Sequence, residues 1–289
     1  MDNNVPNKKL NGRRTVSDSY YRGRNEPSKL VLCEIDKGYM TITLNNARRH
    51  NILTTDMLDA IRNHMIKAKK NDTIKAVLFC SSGDYFCSGI DYSEFVECSD
   101  DKTYKILVND LISCLRNFFT TWFSFTKPIV CAVNGPAFEF GASLVVGSDF
   151  SYSSAKASFD LMFNKLDLTP IGCVTHLLPK IVGRGLAHSM MYLGGHYSAA
   201  TSFDRGLVLD MYGVNSFSED IEKRMLQLAT NSTHCLQATK RIVQFLQDDT
   251  IEDIYSEELK LYQQSLLSKE TRKKMKDDWA MRINLYSDI

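Results

Sequence analysis

From Lys29 onward the chain alternates between two hydrophobic periods. Leu30-Val-Leu-Cys-Glu-Ile35 and Tyr39-Met-Thr-Ile-Thr-Leu44 are apolar runs on either side of Lys37-Gly38, and read as paired strands. Thr54 stands where a helix cap belongs. After it, Met57, Leu58, Ile61, Met65 and Ile66 recur at spacings of three and four. Ala76-Val-Leu-Phe79 predicts another strand, followed by a turn at Gly89. Ile106, Leu107, Leu111, Ile112, Leu115, Phe118, Phe119 and Phe123 mark a long amphipathic helix. Ile129–Val133 predicts a strand leading to a turn at Gly135 and a helix near Gly141–Val146. This repeated strand-turn-helix unit predicts an α/β core with non-local strand packing.

Beyond Gly183 helical spacing dominates. Helices are expected over Ala187–Leu193 and over Ala199–Gly206, with a short strand Leu207-Val-Leu209 after the second. Further helices follow over Ile221–Thr230, Leu236–Leu246, Ile251–Leu267 and Lys269–Arg282. Their apolar faces, among them Leu226, Ile242, Leu246, Leu259 and Leu266, need a surface to pack on, either the chain's own core or a neighbouring subunit. Residues 1–28 are polar, too poor in aliphatics to order themselves, and are expected to form a disordered arm. The Gly12-Arg-Arg14 and Arg22-Gly-Arg24 steps in it read as solvated, or as contacts for an acidic partner. The expected division is therefore an arm (1–28), an α/β core (29–220) and a C-terminal helical oligomerisation region (221–289).

Composition narrows the class. The 289 residues are 44% hydrophobic, enough for a large core, and 35 basic against 34 acidic residues leave a net charge of +1. That balance argues against general nucleic-acid binding. Eight scattered cysteines form no C-x-x-C pair and are expected to be reduced core residues of an intracellular protein, with no metal bound. No run approaches the ~18 apolar residues of a membrane span, no signal peptide opens the chain, and Tyr-Ser-Asp-Ile289 is not a Ser-Lys-Leu peroxisomal address.

Two turns carry the candidate chemistry. Tyr85-Phe-Cys-Ser-Gly-Ile-Asp91 and Val133-Asn-Gly-Pro-Ala-Phe-Glu-Phe-Gly141 each follow a predicted strand. Small residues in such turns let backbone N–H groups converge on one point, as an oxyanion hole requires. No Gly-rich phosphate loop and no zinc spacing occurs.

Five motifs appear in order: Leu44-Asn-Asn-Ala-Arg-Arg-His-Asn51, Phe86-Cys-Ser-Gly-Ile-Asp91, Lys127-Pro-Ile-Val-Cys-Ala-Val-Asn-Gly-Pro-Ala137, Asp149, and Leu178-Pro-Lys-Ile-Val-Gly183. Together they resemble the crotonase (enoyl-CoA hydratase/isomerase) superfamily over roughly residues 29–285. The Asn-Gly-Pro-Ala step and Thr169–Lys180 are similar to two branches: the peroxisomal-type Δ3,Δ2-enoyl-CoA isomerases and the C-terminal domain of chromodomain Y-like chromatin proteins. The resemblance implies a spiral of ββα turns with a C-terminal helical trimerisation region. It also implies a coenzyme A thioester whose oxygen meets the backbone amides of Ile90 and Phe140, with Ser88-Gly89 keeping the first turn small. Arg48 and Arg49 fall where the family carries basic residues that meet CoA phosphates, a solvated loop being the other reading. Arg282 is placed loosely like a family lysine that reaches a neighbour's CoA.

The family's proton carriers are missing. Hydratases use two carboxylates as acid and base. Their positions correspond to Ser143 and Phe163. The isomerase branch uses one Glu in a Pro-Glu-Gly-Cys step, which here reads Pro170-Ile-Gly-Cys173 and puts Ile171 in its place. Glu139 stands where the family has a small residue. Three placements are open to it: a substitute base, an intruder in the acyl pocket, or a side chain turned to solvent, the last being ordinary for a charge. Asp160 and Asp167 are weaker displaced bases, while Asp91 and Asp149 read as caps or turn residues. Ser143 and His176 lack the surroundings of a nucleophile and its base.

The expectation is a crotonase-fold acyl-CoA-binding or scaffold protein without catalysis, resembling chromodomain Y-like transcriptional corepressors. It requires no cofactor, with CoA or acyl-CoA as its ligand. It forms a homotrimer or hexamer, meets chromatin corepressor proteins, contacts neither nucleic acid nor membrane directly, and resides in the nucleus by branch resemblance. Cytoplasm, mitochondrion and peroxisome are the alternatives. The competing expectation is an active enoyl-CoA isomerase or hydratase using a displaced carboxylate, and a weaker one a CoA-free subunit of a mixed oligomer.

Overall fold

The computed structural model describes residues 27–245 and 248–277. β1 (Val31–Asp36) and β2 (Tyr39–Leu44) form an antiparallel hairpin, Val31 opposite Leu44 and Asp36 opposite Tyr39. Lys37 and Gly38 turn it at φ 50° and 85°, the pair of positive angles that a two-residue hairpin needs. Thr54 caps α1 (Thr55–Lys70) by accepting the Met57 N–H at 3.2 Å. β3 (Ala76–Ser81) adds to β2 in parallel, followed by α2 (Asp101–Phe123) and then β4 (Ile129–Val133) beside β3.

A second, smaller sheet begins with β5 (Ala137–Phe138), after which comes α3 (Phe140–Val146). β6 (Phe150–Ser154) returns to the first sheet, β7 (Ser158–Asp160) pairs parallel with β5, α4 (Val174–Val182) follows, and β8 (Tyr197–Ser198) lies antiparallel to β7. β9 (Asp210–Tyr212) closes the first sheet, whose order is β1-β2-β3-β4-β6-β9. The chain thus winds between two sheets, with helices filling the space around them. This is the α/β spiral that the resemblance implied.

The C-terminal helices pack on the chain's own core in part: Leu259 and Leu266 are buried, while Leu226 and Ile242 are exposed. α5 (Phe217–Ala229) covers one face of the large sheet, setting Ile221 and Met225 against Tyr39, Leu78, Val130 and Tyr152. α6 (Thr233–Phe245) sends Lys240 toward the start of β4. α7 (Asp248–Leu267) lies along α2, where the Tyr104 hydroxyl donates to the Leu266 carbonyl at 2.8 Å and Phe123 stacks on Tyr255. Residues 269–277 form one more helix.

Several local expectations are corrected. The strand expected at Leu207–Leu209 forms at Asp210–Tyr212, because the Ser151 hydroxyl takes the Leu207 carbonyl at 2.7 Å before the ladder begins. The helix expected over Ala187–Leu193 forms but starts earlier, as an α-helix at Arg184–His188 that continues into a π-helix at Ser189–Leu193. α4, for which no element was expected, forms with Pro179 inside it. The arm expected over 1–28 lies outside the described residues except for Pro27 and Ser28, which open a helical turn, Pro27–Leu30. All eight cysteines are free thiols. No helix among the described residues is long and apolar enough to cross a membrane, and none of their His, Cys, Asp and Glu side chains cluster as a metal site.

One partly buried ion pair ties α6 to the start of β4: the Lys240 side chain is 7% exposed and that of Asp149 30%. Lys240 Nζ meets Asp149 Oδ2 at 2.6 Å and the Lys127 carbonyl at 2.9 Å, while the same Asp149 oxygen accepts the Ile129 N–H at 2.7 Å. Asp149 is therefore a structural clamp on β4. Removing Asp149 leaves the buried Lys240 ammonium without its counter-charge; a fully buried pair would lose about 3 kcal/mol and an exposed one under about 1 kcal/mol, so a partly exposed partner places the loss between, at about 2 kcal/mol. Asp149→Ala is expected to lower the unfolding free energy by that order, read as a lower urea midpoint. A loss below about 1 kcal/mol, the range of exposed pairs, would contradict the clamp.

Candidate functional site

The segment 87–91 lies between Leu53 and β5. Single bridges pair Ile90 with Leu53 and Cys87 with Ala137. The Leu53 N–H donates to the Gly89 carbonyl at 2.8 Å, and the Asp91 N–H to the Leu53 carbonyl at 2.9 Å. Neighbouring N–H groups of an extended segment point to opposite sides. With Asp91 turned to Leu53, the Ile90 N–H faces the residue that follows β5, which is Glu139.

Glu139 sits at φ 50°, ψ −120°, a conformation natural to glycine that costs a larger residue about 1–3 kcal/mol. Its N–H donates to the Asp160 carbonyl at 2.8 Å, and its carbonyl accepts from Ala142 and Ser143 at the start of α3. Its side chain is 0% exposed. Oε2 accepts the Ile90 N–H at 2.7 Å, and Oε1 accepts the Tyr92 hydroxyl proton. With that proton committed, the Tyr92 oxygen takes the hydroxyl proton of Tyr262, from α7. Burial, and then the field of the Glu139 carboxylate, push both phenols well above their ordinary range, so both stay neutral donors.

Two glycines permit this contact. A Cβ at Gly89 would fall 1.9 Å from Glu139 Oε2, and one at Gly141 would fall 2.5 Å from the Cys87 carbonyl oxygen. The two turns therefore meet, and the carboxylate occupies the Ile90 amide. Of the three placements open to Glu139, the structure takes the inward one. The Phe140 N–H opens α3 and has no protein acceptor among the described residues, while its ring packs edge-on against Phe118 and Phe119.

Ser143, Phe163 and Ile171 are all buried. The Ser143 hydroxyl donates back to the Glu139 carbonyl at 3.4 Å. A Cβ at Gly172 would fall 2.9 Å from Ser143 Cβ, so the loop after Ile171 rests on α3. Asp160 accepts from the Met162 N–H and from Lys165, and Asp167 from the Thr271 hydroxyl, so both serve local structure. Asp91 binds Arg49 through both oxygens, at 2.7 and 3.3 Å, and caps Ser93. Arg49 thus stands in an ion pair, while Arg48 is exposed. The Ser88 N–H donates to the His50 carbonyl. His176 faces Lys180 rather than Ser143, and burial, then Lys180, push its pKa down. Arg282 lies outside the described residues.

Sequence reasoning missed Tyr92, Tyr262 and Glu258. Glu258 is 6% exposed and reaches from α7 to the first turn of α4, accepting from the Cys173 N–H at 2.7 Å and from the Thr175 N–H and hydroxyl at 3.2 and 2.6 Å. The signal was present: Tyr255, Glu258, Leu259, Tyr262 and Leu266 share one helical face, and a glutamate on an apolar stripe needs a buried partner.

The family profile for enoyl-CoA hydratase/isomerase matches residues 34–280. Human chromodomain Y-like protein 2 is 30% identical over 236 residues, covering 81% of this chain and 46% of that protein. Rat enoyl-CoA delta isomerase 2 is 27% identical over 248 residues, covering 86% of this chain and 63% of its own. The chain thus spans about half the length of the chromodomain relative. The crystal structure of an enoyl-CoA hydratase/isomerase from Pseudoalteromonas atlantica T6c superposes with a TM-score of 0.78 at 23% identity, covering 88% of this chain and 98% of that one.

Burial raises the Glu258 pKa, with the Thr175 and Cys173 hydrogen bonds opposing it. A carboxyl whose folded pKa is raised stabilises the fold fully below its unfolded pKa, and that contribution is lost as pH rises through the folded value. The stability of the wild type is expected to fall across that window relative to Glu258→Gln, which does not titrate. Parallel stability–pH curves for the two proteins would contradict the assignment.

Proposed function

The chain belongs to the enoyl-CoA hydratase/isomerase family, and from that premise we propose that it neither hydrates nor isomerises enoyl thioesters and acts instead as an oligomeric scaffold. One observation supports the reading: Ser143, Phe163 and Ile171, which the motif resemblance assigns to the positions of the family's acid and base, are buried. Positioned proton transfer contributes typically ~10²–10⁴-fold, and neither isoleucine nor phenylalanine carries a proton. Similarity to chromodomain Y-like protein 2 supports a place beside those relatives. The proposal extends to a homotrimer or hexamer in the nucleus, partnered by chromatin corepressor proteins, with CoA or acyl-CoA as its small ligand and no cofactor required.

A second reading has one observation in its favour. The Glu139 carboxylate points into the site, so an isomerase or hydratase using it as a displaced base is the alternative. In the placement seen, however, its oxygen lies on the Ile90 amide, where a thioester oxygen would sit, rather than beside a carbon to be deprotonated.

A spectrophotometric assay with 2-enoyl-CoA and 3-enoyl-CoA decides between them. At most slow turnover is expected from the wild type. Rates near the ~10 s⁻¹ of ordinary enzymes, abolished by Glu139→Gln, would establish the second reading. Sedimentation of the full chain is expected to give a trimer or hexamer, and a monomer at micromolar concentration would remove the scaffold proposal.

A further inference from the structure

We infer that Glu139 is a built-in ligand of the cradle, a carboxylate that occupies the Ile90 amide in place of an acyl oxygen and closes the site to thioesters until it is displaced. The inference rests on the reading that this amide belongs to the family's acyl site.

Three features argue that the contact is held rather than incidental. The first is the backbone. A glutamate is kept at φ 50°, ψ −120°, and such an outlier persists only where its surroundings over-determine it. The second is fit. Gly89 leaves no room for a Cβ because the carboxylate fills that space. The third is the chain of donors. Ile90 N–H meets one oxygen, and Tyr92, itself backed by Tyr262, meets the other. The last link comes from α7, so the C-terminal helix props the occupant from behind.

A carboxylate oxygen and a thioester oxygen are both acceptors, and a single N–H donates well to one of them. A ligand therefore meets an open cradle only in the fraction of molecules in which Glu139 has swung away, and its apparent affinity falls by that fraction. Removing the side chain removes the competition. Glycine also accepts the positive φ without strain, so Glu139→Gly suits the backbone as it stands. Glu139→Gln keeps an acceptor oxygen and the same bulk, and so keeps the cradle filled.

Isothermal titration of the full chain with acetyl-CoA, which has no double bond to turn over, tests this apart from catalysis. Glu139→Gly is expected to bind at least tenfold tighter than the wild type, and Glu139→Gln to stay near the wild type. Tyr262→Phe, which loosens only the outer link, is expected to give a smaller gain in the same direction and serves if the glycine variant fails to fold. Equal affinity of the wild type and Glu139→Gly, or of the wild type and Tyr262→Phe where the glycine variant is unfolded, overturns the inference alone. Absence of binding in every variant at millimolar acetyl-CoA overturns it together with the acyl-site reading. Turnover by the wild type in the enoyl-CoA assay overturns only the proposal that catalysis is missing.

Discussion

A buried amide needs an acceptor, and at Ile90 the acceptor is a carboxylate carried by the chain itself. Much of the site's geometry follows from that one hydrogen bond. It requires Gly89 to lack a side chain, Gly141 to let α3 press against Cys87, and Glu139 to adopt a backbone angle that favours glycine. An ionised group moved from water into the interior costs several kcal/mol unless it is well bonded. The Tyr92 hydroxyl and the Ile90 amide meet that need, one on each oxygen.

The C-terminal helix α7 enters the site as well as the core. Tyr262 supports Tyr92, and Glu258, one turn earlier, holds the loop that ends at Cys173 and begins α4. The turn that carries the Ile90 amide and the loop that ends at Cys173 are thus steadied from one helix of the same chain. A region that reads in sequence as an oligomerisation tail also organises the cradle. Whatever contacts α7 has a physical route to Glu139, through side chains already in hydrogen-bonding contact.

Residue by residue, the legible and the hidden differ in kind. The hairpin at Lys37-Gly38, the Thr54 cap and the apolar stripe of α2 are short-range features, and each formed as its pattern predicts. β6 was hidden because Phe150-Ser-Tyr-Ser-Ser154 looks polar, although Ser151, Ser153 and Ser154 are buried. Ser151 bonds the Leu207 carbonyl, and the strand expected at Leu207–Leu209 forms as β9 instead. In the site, Ser143, Phe163 and Ile171 were singled out from motif position alone, and all three are buried. The direction of Glu139 was not, since a charged side chain beside a turn ordinarily faces water.

By itself, the sequence determined the class of fold and the two small-residue turns. These depend on local periodicity, on glycine and on motif order, all of which are written along one dimension. Only the tertiary structure decided that Glu139 turns inward, that Tyr92 and Tyr262 receive it, and that Glu258 reaches α4. Those contacts join residues 47 to 170 positions apart, and the balance between hydrating a carboxylate and bonding it in the interior is struck only where donors from distant segments converge.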